Sequence, residues 1–195
     1  MIPRPETEMA IDAVLALCGK SYLPGVAAEA SKLPENPKIL DVGTGSGCIG
    51  ITLALELPEA QVVAVDVSKG ALEIAKKNAE KFKVKNIELH ESDLLSGVDG
   101  EFDVIVANLP YVDRKWDWLD LEALSYEPDG ALFADDGGCE LIFKLVSQAN
   151  NRTKFLILEA DPSQHERIVE FSKKYGFCHT NTRGYILEFS SQRMD

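Results

Sequence analysis

A surplus of positive charge is missing: 20 Lys and Arg face 32 Asp and Glu, a formal net charge of −12 over 195 residues. A protein that grips a nucleic-acid backbone displaces counterions with a basic stripe, so this balance argues against a nucleic-acid partner. Small basic patches such as Lys81-Phe82-Lys83-Val84-Lys85 are present, and this one reads first as the solvated end of a surface helix. No apolar stretch approaches the ~18 residues that cross a bilayer, so no membrane partner is expected. The start, MIPRPETEMA, has an Arg and two Glu where a secretory signal carries its apolar core, which predicts no export and a cytoplasmic setting. The four cysteines, Cys18, Cys48, Cys139 and Cys178, form no CxxC and have no neighbouring His pair, so they read as buried reduced thiols. His90, His165 and His179 are isolated from one another, with neither metal nor triad spacing, and no metal is expected. Internal repeats and low-complexity segments are absent as well.

What is present is the balance of a globular chain, 45% apolar and 27% charged residues, at a length that suits one domain. Residues 1–37 read as an N-terminal helix and linker and 38–195 as the core. The first helix is expected over 8–18, with Ala10, Ala13, Val14 and Leu17 on one face and Thr7 as a cap. Lys38–Val42 predicts a buried strand ending at Gly43, and a helix follows from about Ser46, with Ile49, Leu53 and Leu57 spaced by four. Val62–Asp66 is a second strand. Ser68 then caps a helix that turns Leu72, Ala75, Ala79 and Phe82 inward. Ile87–Leu89 and Phe102–Ala107 are the third and fourth strands. Residues 112–135 show little periodicity, the mark of a functional loop. A helix over 138–149, a strand over 155–158, a helix over 163–175 and a closing hairpin over 176–189 complete the pattern. Strands alternating with helices predict a doubly wound, mostly parallel sheet, with an antiparallel strand from the final hairpin.

The first strand ends in DVGTGSGCIG, residues 41–50. Glycines there bring the backbone close to a ligand, and the helix that follows offers unpaired N–H groups. Gly45 to Gly50 fits G-x-G-x-x-G with Asp66 21 residues on, so a dinucleotide site is one reading. The other is S-adenosylmethionine. A carboxylate at Asp41, beside the loop, suits an ammonium and a sulfonium better than a doubly negative pyrophosphate. Asp66 accepts ribose hydroxyls in either case. Asp93 is placed to accept from an adenine amino group, or is a solvated loop aspartate.

After the fourth strand comes Asn108-Leu109-Pro110-Tyr111. An amide or exocyclic amino nitrogen is a poor nucleophile, because its lone pair is delocalised. If the Asn108 side-chain oxygen and the Leu109 carbonyl accept its two N–H hydrogens, the lone pair turns toward the methyl donor, and both bonds strengthen as positive charge develops. Tyr111 lies against the flat group, and Pro110 stiffens the turn. Taken alone, the tetrapeptide is equally an ordinary turn with a half-buried Tyr.

With IPRPETE at 2–8, DVGTGSGCIG at 41–50 and YEPDGAL at 126–132, the chain resembles the HemK/PrmC-type glutamine N5-methyltransferases of class I peptide chain release factors. The similarity spans nearly the whole chain. It implies a Rossmann-like class I methyltransferase fold with a seven-stranded sheet, S-adenosylmethionine as cofactor, S-adenosylhomocysteine as product, and a release factor as protein partner. It assigns Asn108, Leu109, Pro110 and Tyr111 to catalysis. The cofactor set is Asp41, Gly43, Thr44, Gly45, Gly47, Asp66, Val67, Ser68, Asp93, Leu94 and Asn108, and Arg4, Glu6, Glu127 and Pro128 line the mouth. Leu109 stands where the family has proline, which predicts a looser turn with the chemistry retained through its main-chain carbonyl. Ala160 stands where the family often has Gly. The family's helical N-terminal domain is not in this sequence, which leaves room for an accessory subunit. Trp116 and Trp118 either grip the substrate peptide or pack the long loop down.

Three rivals stand. Asn-Leu-Pro-Tyr is also the form found in ribosomal RNA adenine dimethyltransferases, so N6-adenine methylation of RNA or DNA is one alternative. Those enzymes are basic and lack the two outer motifs. The others are a non-catalytic domain that binds S-adenosylmethionine and a dinucleotide-dependent oxidoreductase.

Overall fold

The computed structural model describes residues 5–20, 31–117, 119 and 129–192. Helix α1 runs Pro5–Leu17, three residues earlier than the periodicity suggested. Proline is pre-set for a first helical position and Glu6 and Glu8 suit the positive helix start, so Thr7 lies inside the helix instead of capping it. Its apolar face is as expected: Ala10, Ala13, Val14 and Leu17 are all buried.

The strands and helices that follow are β1 (Lys38–Val42), α2 (Cys48–Glu56), β2 (Gln61–Asp66), α3 (Lys69–Phe82), β3 (Ile87–Glu91), β4 (Phe102–Ala107), α4 (Glu140–Ala149), β5 (Thr153–Glu159), α5 (His165–Lys174), β6 (Phe177–Arg183) and β7 (Ile186–Ser191). Helix α2 starts at Cys48 because Gly47, at φ +85°, is left-handed. Helix α4 is likewise delayed to Glu140 by Gly137 and Gly138, at φ +64° and +79°. Ser68 caps α3 by accepting from the Ala71 N–H. Ala75 and Ala79 are buried beneath that helix, while Phe82, expected inward, is exposed with Lys81 over its ring.

One seven-stranded sheet has the order β3-β2-β1-β4-β5-β7-β6. Every pairing is parallel except those of β7, which runs antiparallel to both β5 and β6. The second strand of the closing hairpin therefore joins the sheet and the first forms its edge. Alternate residues along each strand face opposite sides. Leu40, Val42, Ile105, Leu156 and Leu158 pack with Ile142, Leu145 and Ile168 of α4 and α5. Ile39, Val104, Val106 and Ile157 pack with α1 and α2 through Val14, Ile49 and Leu53. Each of these fully buried side chains contributes roughly 1.5–3 kcal/mol, so the two layers hold the strand ends in register.

All four cysteines are free, but only Cys139 is buried; Cys18, Cys48 and Cys178 are half-buried. In the long loop Val112 bridges Phe133, with Val112 N–H to Leu132 O at 3.0 Å and Ala134 N–H to Val112 O at 3.1 Å. Among the described residues no helix is long and apolar enough to cross a membrane.

Candidate active site

Strand β1 lies between β2 and β4, so the chain departs to one side of it and later resumes on the other. Open parallel sheets form their ligand crevice at such a switch point, outside the carboxyl ends of the strands. Val42 pairs with Ala107 at the last rung between β1 and β4, so the turn starting at Gly43 and the tetrapeptide starting at Asn108 leave the sheet side by side. Gly43 has φ +74°, and a Cβ there would come 2.9 Å from Leu109 Cδ2 and 3.6 Å from the Asn108 carbonyl oxygen. The Leu109 side chain is thus buried against the glycine turn and belongs to the core on that face.

Asp41 lies beneath this turn, not beside it. It is fully buried; its Oδ2 accepts from the Thr44 hydroxyl at 2.6 Å and the Gly50 N–H at 2.8 Å, while Oδ1 makes no hydrogen bond. Its carboxyl is raised to about 6: burial pushes it up, the Thr44 and Gly50 bonds hold the rise back, and the nearby charge of Asp66 adds to it. Asp41 therefore shapes the turn from below. Asp66, half-buried at the end of β2, accepts from the Gly45 N–H at 2.9 Å and the Ser68 N–H at 2.8 Å. Each of its oxygens has further lone-pair capacity, which suits a pair of hydroxyls. Val67 beside it is 71% exposed, an apolar surface next to a polar cradle. Asp93, after β3, is ion-paired with Lys144 of α4 at 2.6 Å. The next residue, Leu94, is buried with φ +52°, and its carbonyl accepts from the Ser92 hydroxyl at 2.7 Å.

The tetrapeptide is held from two sides. Asn108 Nδ2 donates to the Thr7 hydroxyl at 3.0 Å, Thr7 donates to Glu159 Oε2 at 3.0 Å, and the Tyr111 hydroxyl reaches Glu159 Oε1 at 3.3 Å. On the other side Gln164 Nε2 donates to the carbonyls of Tyr111 and Gly137, each at 2.7 Å. Tyr111 also packs on the core, which fixes its ring. Thr7, Glu159 and Gln164 were not read from sequence as site residues. For Glu159 a signal existed: a carboxylate closing an otherwise apolar strand, in the same position as Asp66 and Asn108. Glu6 is half-buried in the first turn of α1, beside Thr7. Arg4, Trp118, Glu127 and Pro128 lie outside the described residues.

Residues 24–123 match the model of the methyltransferase small domain. The chain belongs to the methyltransferase small domain family. It is 44% identical over 144 residues to the release factor glutamine methyltransferase of Chlorobaculum tepidum, covering 70% of this chain and 46% of that protein. With the protein of the same name from Escherichia coli it shares 36% over 173 residues, 86% of this chain and 57% of the other. The chain thus spans about half the length of these curated relatives. Among solved structures, magnesium protoporphyrin IX methyltransferase from Synechocystis, with bound S-adenosylmethionine, aligns at a TM-score of 0.59 and 21% identity over 95% of this chain and 80% of that one. The sheet order and this match give a class I methyltransferase fold.

Proposed function

We propose that this family member transfers a methyl group from S-adenosylmethionine to an amide nitrogen, the N5 of a glutamine in a class I peptide chain release factor. The observation that carries the reading is the meeting of two strand ends at one switch point, the glycine turn of β1 against the Asn108–Tyr111 segment of β4. The names of its curated relatives support the acceptor.

The cradle suits the cofactor. Left-handed Gly43, Gly45 and Gly47 shape the turn at the crevice, Asp66 offers acceptors to vicinal hydroxyls, and Val67 offers an apolar face to a flat ring. Asp41 beneath the turn and Asp66 at its side place acidic groups near the crevice, which suits a cation better than a pyrophosphate, while Asp93 is already paired with Lys144. Bound there, S-adenosylmethionine supplies an electrophilic methyl group on a sulfonium. The protein then has to aim a weak nucleophile. Asn108 Oδ1 and the Leu109 carbonyl accept the two hydrogens of the substrate amide, turning its nitrogen lone pair into the crevice. Both bonds strengthen as the nitrogen becomes cationic, which is where such contacts accelerate the reaction. The Tyr111 ring, fixed by core packing, flanks the planar amide.

The test offers tritiated S-adenosylmethionine together with a release factor and ribosomal RNA. Label on the release factor glutamine is expected. Label on RNA alone would establish the adenine reading instead, and cofactor binding without any labelled acceptor would favour a non-catalytic binding domain.

A further inference from the structure

The hydrogen-bonded chain from β5 through α1 to the tetrapeptide has a direction set by its chemistry. Glu159 is 1% exposed and accepts on both oxygens, from the Thr7 hydroxyl on Oε2 and the Tyr111 hydroxyl on Oε1. The Thr7 hydroxyl has a single hydrogen, which it gives to Glu159 Oε2 at 3.0 Å, so only its lone pairs remain for Asn108. Of the two ends of the Asn108 amide only the nitrogen donates, and it is Nδ2 that lies 3.0 Å from Thr7 Oγ1. Oδ1 is thereby turned to the opposite side of the amide, and no group among the described residues donates to it. The same carboxyl takes the Tyr111 hydroxyl on its other oxygen, so one buried side chain addresses both ends of the segment.

We propose that Glu159 and Thr7 are positioning residues that decide which end of the Asn108 amide is presented to the methyl acceptor. The inference rests on the reading of Asn108 as the group that accepts from the substrate nitrogen. The two ends of a carboxamide are nearly the same in shape, so packing alone does not choose between them. Reversed, Asn108 would present two hydrogens to a nitrogen that also carries hydrogens, and the aim of the lone pair would be lost. A local signal for this arrangement is absent, since Thr7 and Glu159 are 152 residues apart.

The variants Thr7→Val, Thr7→Ser and Glu159→Gln test it in the whole chain. Valine keeps the volume of threonine without the hydroxyl; glutamine replaces one acceptor oxygen with a donor, so the two hydroxyls can no longer both donate. Thr7→Val and Glu159→Gln are each expected to lower kcat for a glutamine substrate by about 10–100-fold, the scale of a misplaced reacting group, with S-adenosylhomocysteine affinity and KM little changed. Thr7→Ser is expected to restore kcat. The double variant should be no worse than the worse single one, because both break the same relay. A second readout does not depend on activity: the Asn108 side-chain N–H signals, identified by their loss in Asn108→Ala, should exchange slowly with solvent in wild type and Thr7→Ser and rapidly in Thr7→Val. A Thr7→Val protein with kcat within twofold of wild type, or with its Asn108 protection intact, overturns the proposal. If wild type methylates no glutamine while the protection follows Thr7 as stated, the functional reading falls and the relay stands.

Discussion

Gly138 sits against the carbonyl of Tyr111, and replacing it with alanine should damage the tetrapeptide severely. The new Cβ would fall well inside the 3.0 Å that real Cβ atoms keep from other atoms, against both the Tyr111 oxygen and Gln164 Nε2. Neither partner yields freely. Gln164 is buried, its Nε2 holds Tyr111 O and Gly137 O at 2.7 Å each, and its Oε1 accepts from the Asp161 N–H at 3.0 Å. The left-handed backbone at φ +79° adds roughly 1–2 kcal/mol for an alanine. Losing two hydrogen bonds from a buried amide costs about 1 kcal/mol each, and more where a polar atom is left unsatisfied. The sum, roughly 3–6 kcal/mol, is a large part of the ~5–15 kcal/mol that stabilises a domain. Urea unfolding with parallel methyl-transfer kinetics measures it, and Gly130→Ala is the control, since nothing lies within 4 Å of its added Cβ. Gly138→Ala should unfold at markedly lower urea and lose most of its kcat, with Gly130→Ala unchanged. A Gly138→Ala protein within about 1 kcal/mol of wild type and fully active would refute the clamp.

Asn108→Ala should cut kcat at least ~100-fold, the scale of losing one transition-state hydrogen bond, and leave S-adenosylhomocysteine affinity within about threefold by calorimetry. Asp41 makes stability depend on pH: its folded carboxyl is raised to about 6, so its stabilising contribution is full below ~pH 4 and is lost as pH rises through 6, on the order of 3 kcal/mol in all. Asp41→Asn keeps an acceptor for Thr44 and Gly50 without titrating, so its melting temperature relative to wild type should climb between pH 4 and 7; parallel curves would contradict this. Asn86 Nδ2 contacts the carbonyls of Ala54, Leu57 and Ala60, each at 3.1 Å, tying β3 to the end of α2. Asn86→Ala should lower stability by about 1–3 kcal/mol in urea titration with kcat unaffected.

Local patterns carried most of the architecture. The alternation of apolar strands with amphipathic helices, Ser68 before α3 and the glycine turn after β1 depend on a residue and its near neighbours, through periodicity, caps and left-handed φ. Helix starts were less legible: Pro5 extended α1, and left-handed Gly47 and Gly138 shortened α2 and α4. What decided the site was contact between distant segments. Whether Asp41 faces a ligand or lies under the turn, whether Phe82 points in or out, and which strand of the last hairpin joins β5 depend on what packs opposite each of them. The pairing of β1 with β4 and the relay from Glu159 through Thr7 to Asn108 exist only because the fold brings four chain segments together at the carboxyl ends of the central strands. Residue types and spacing name the groups able to do the chemistry, but hydrogen-bond direction is a property of the folded neighbourhood, and it alone orients the amide.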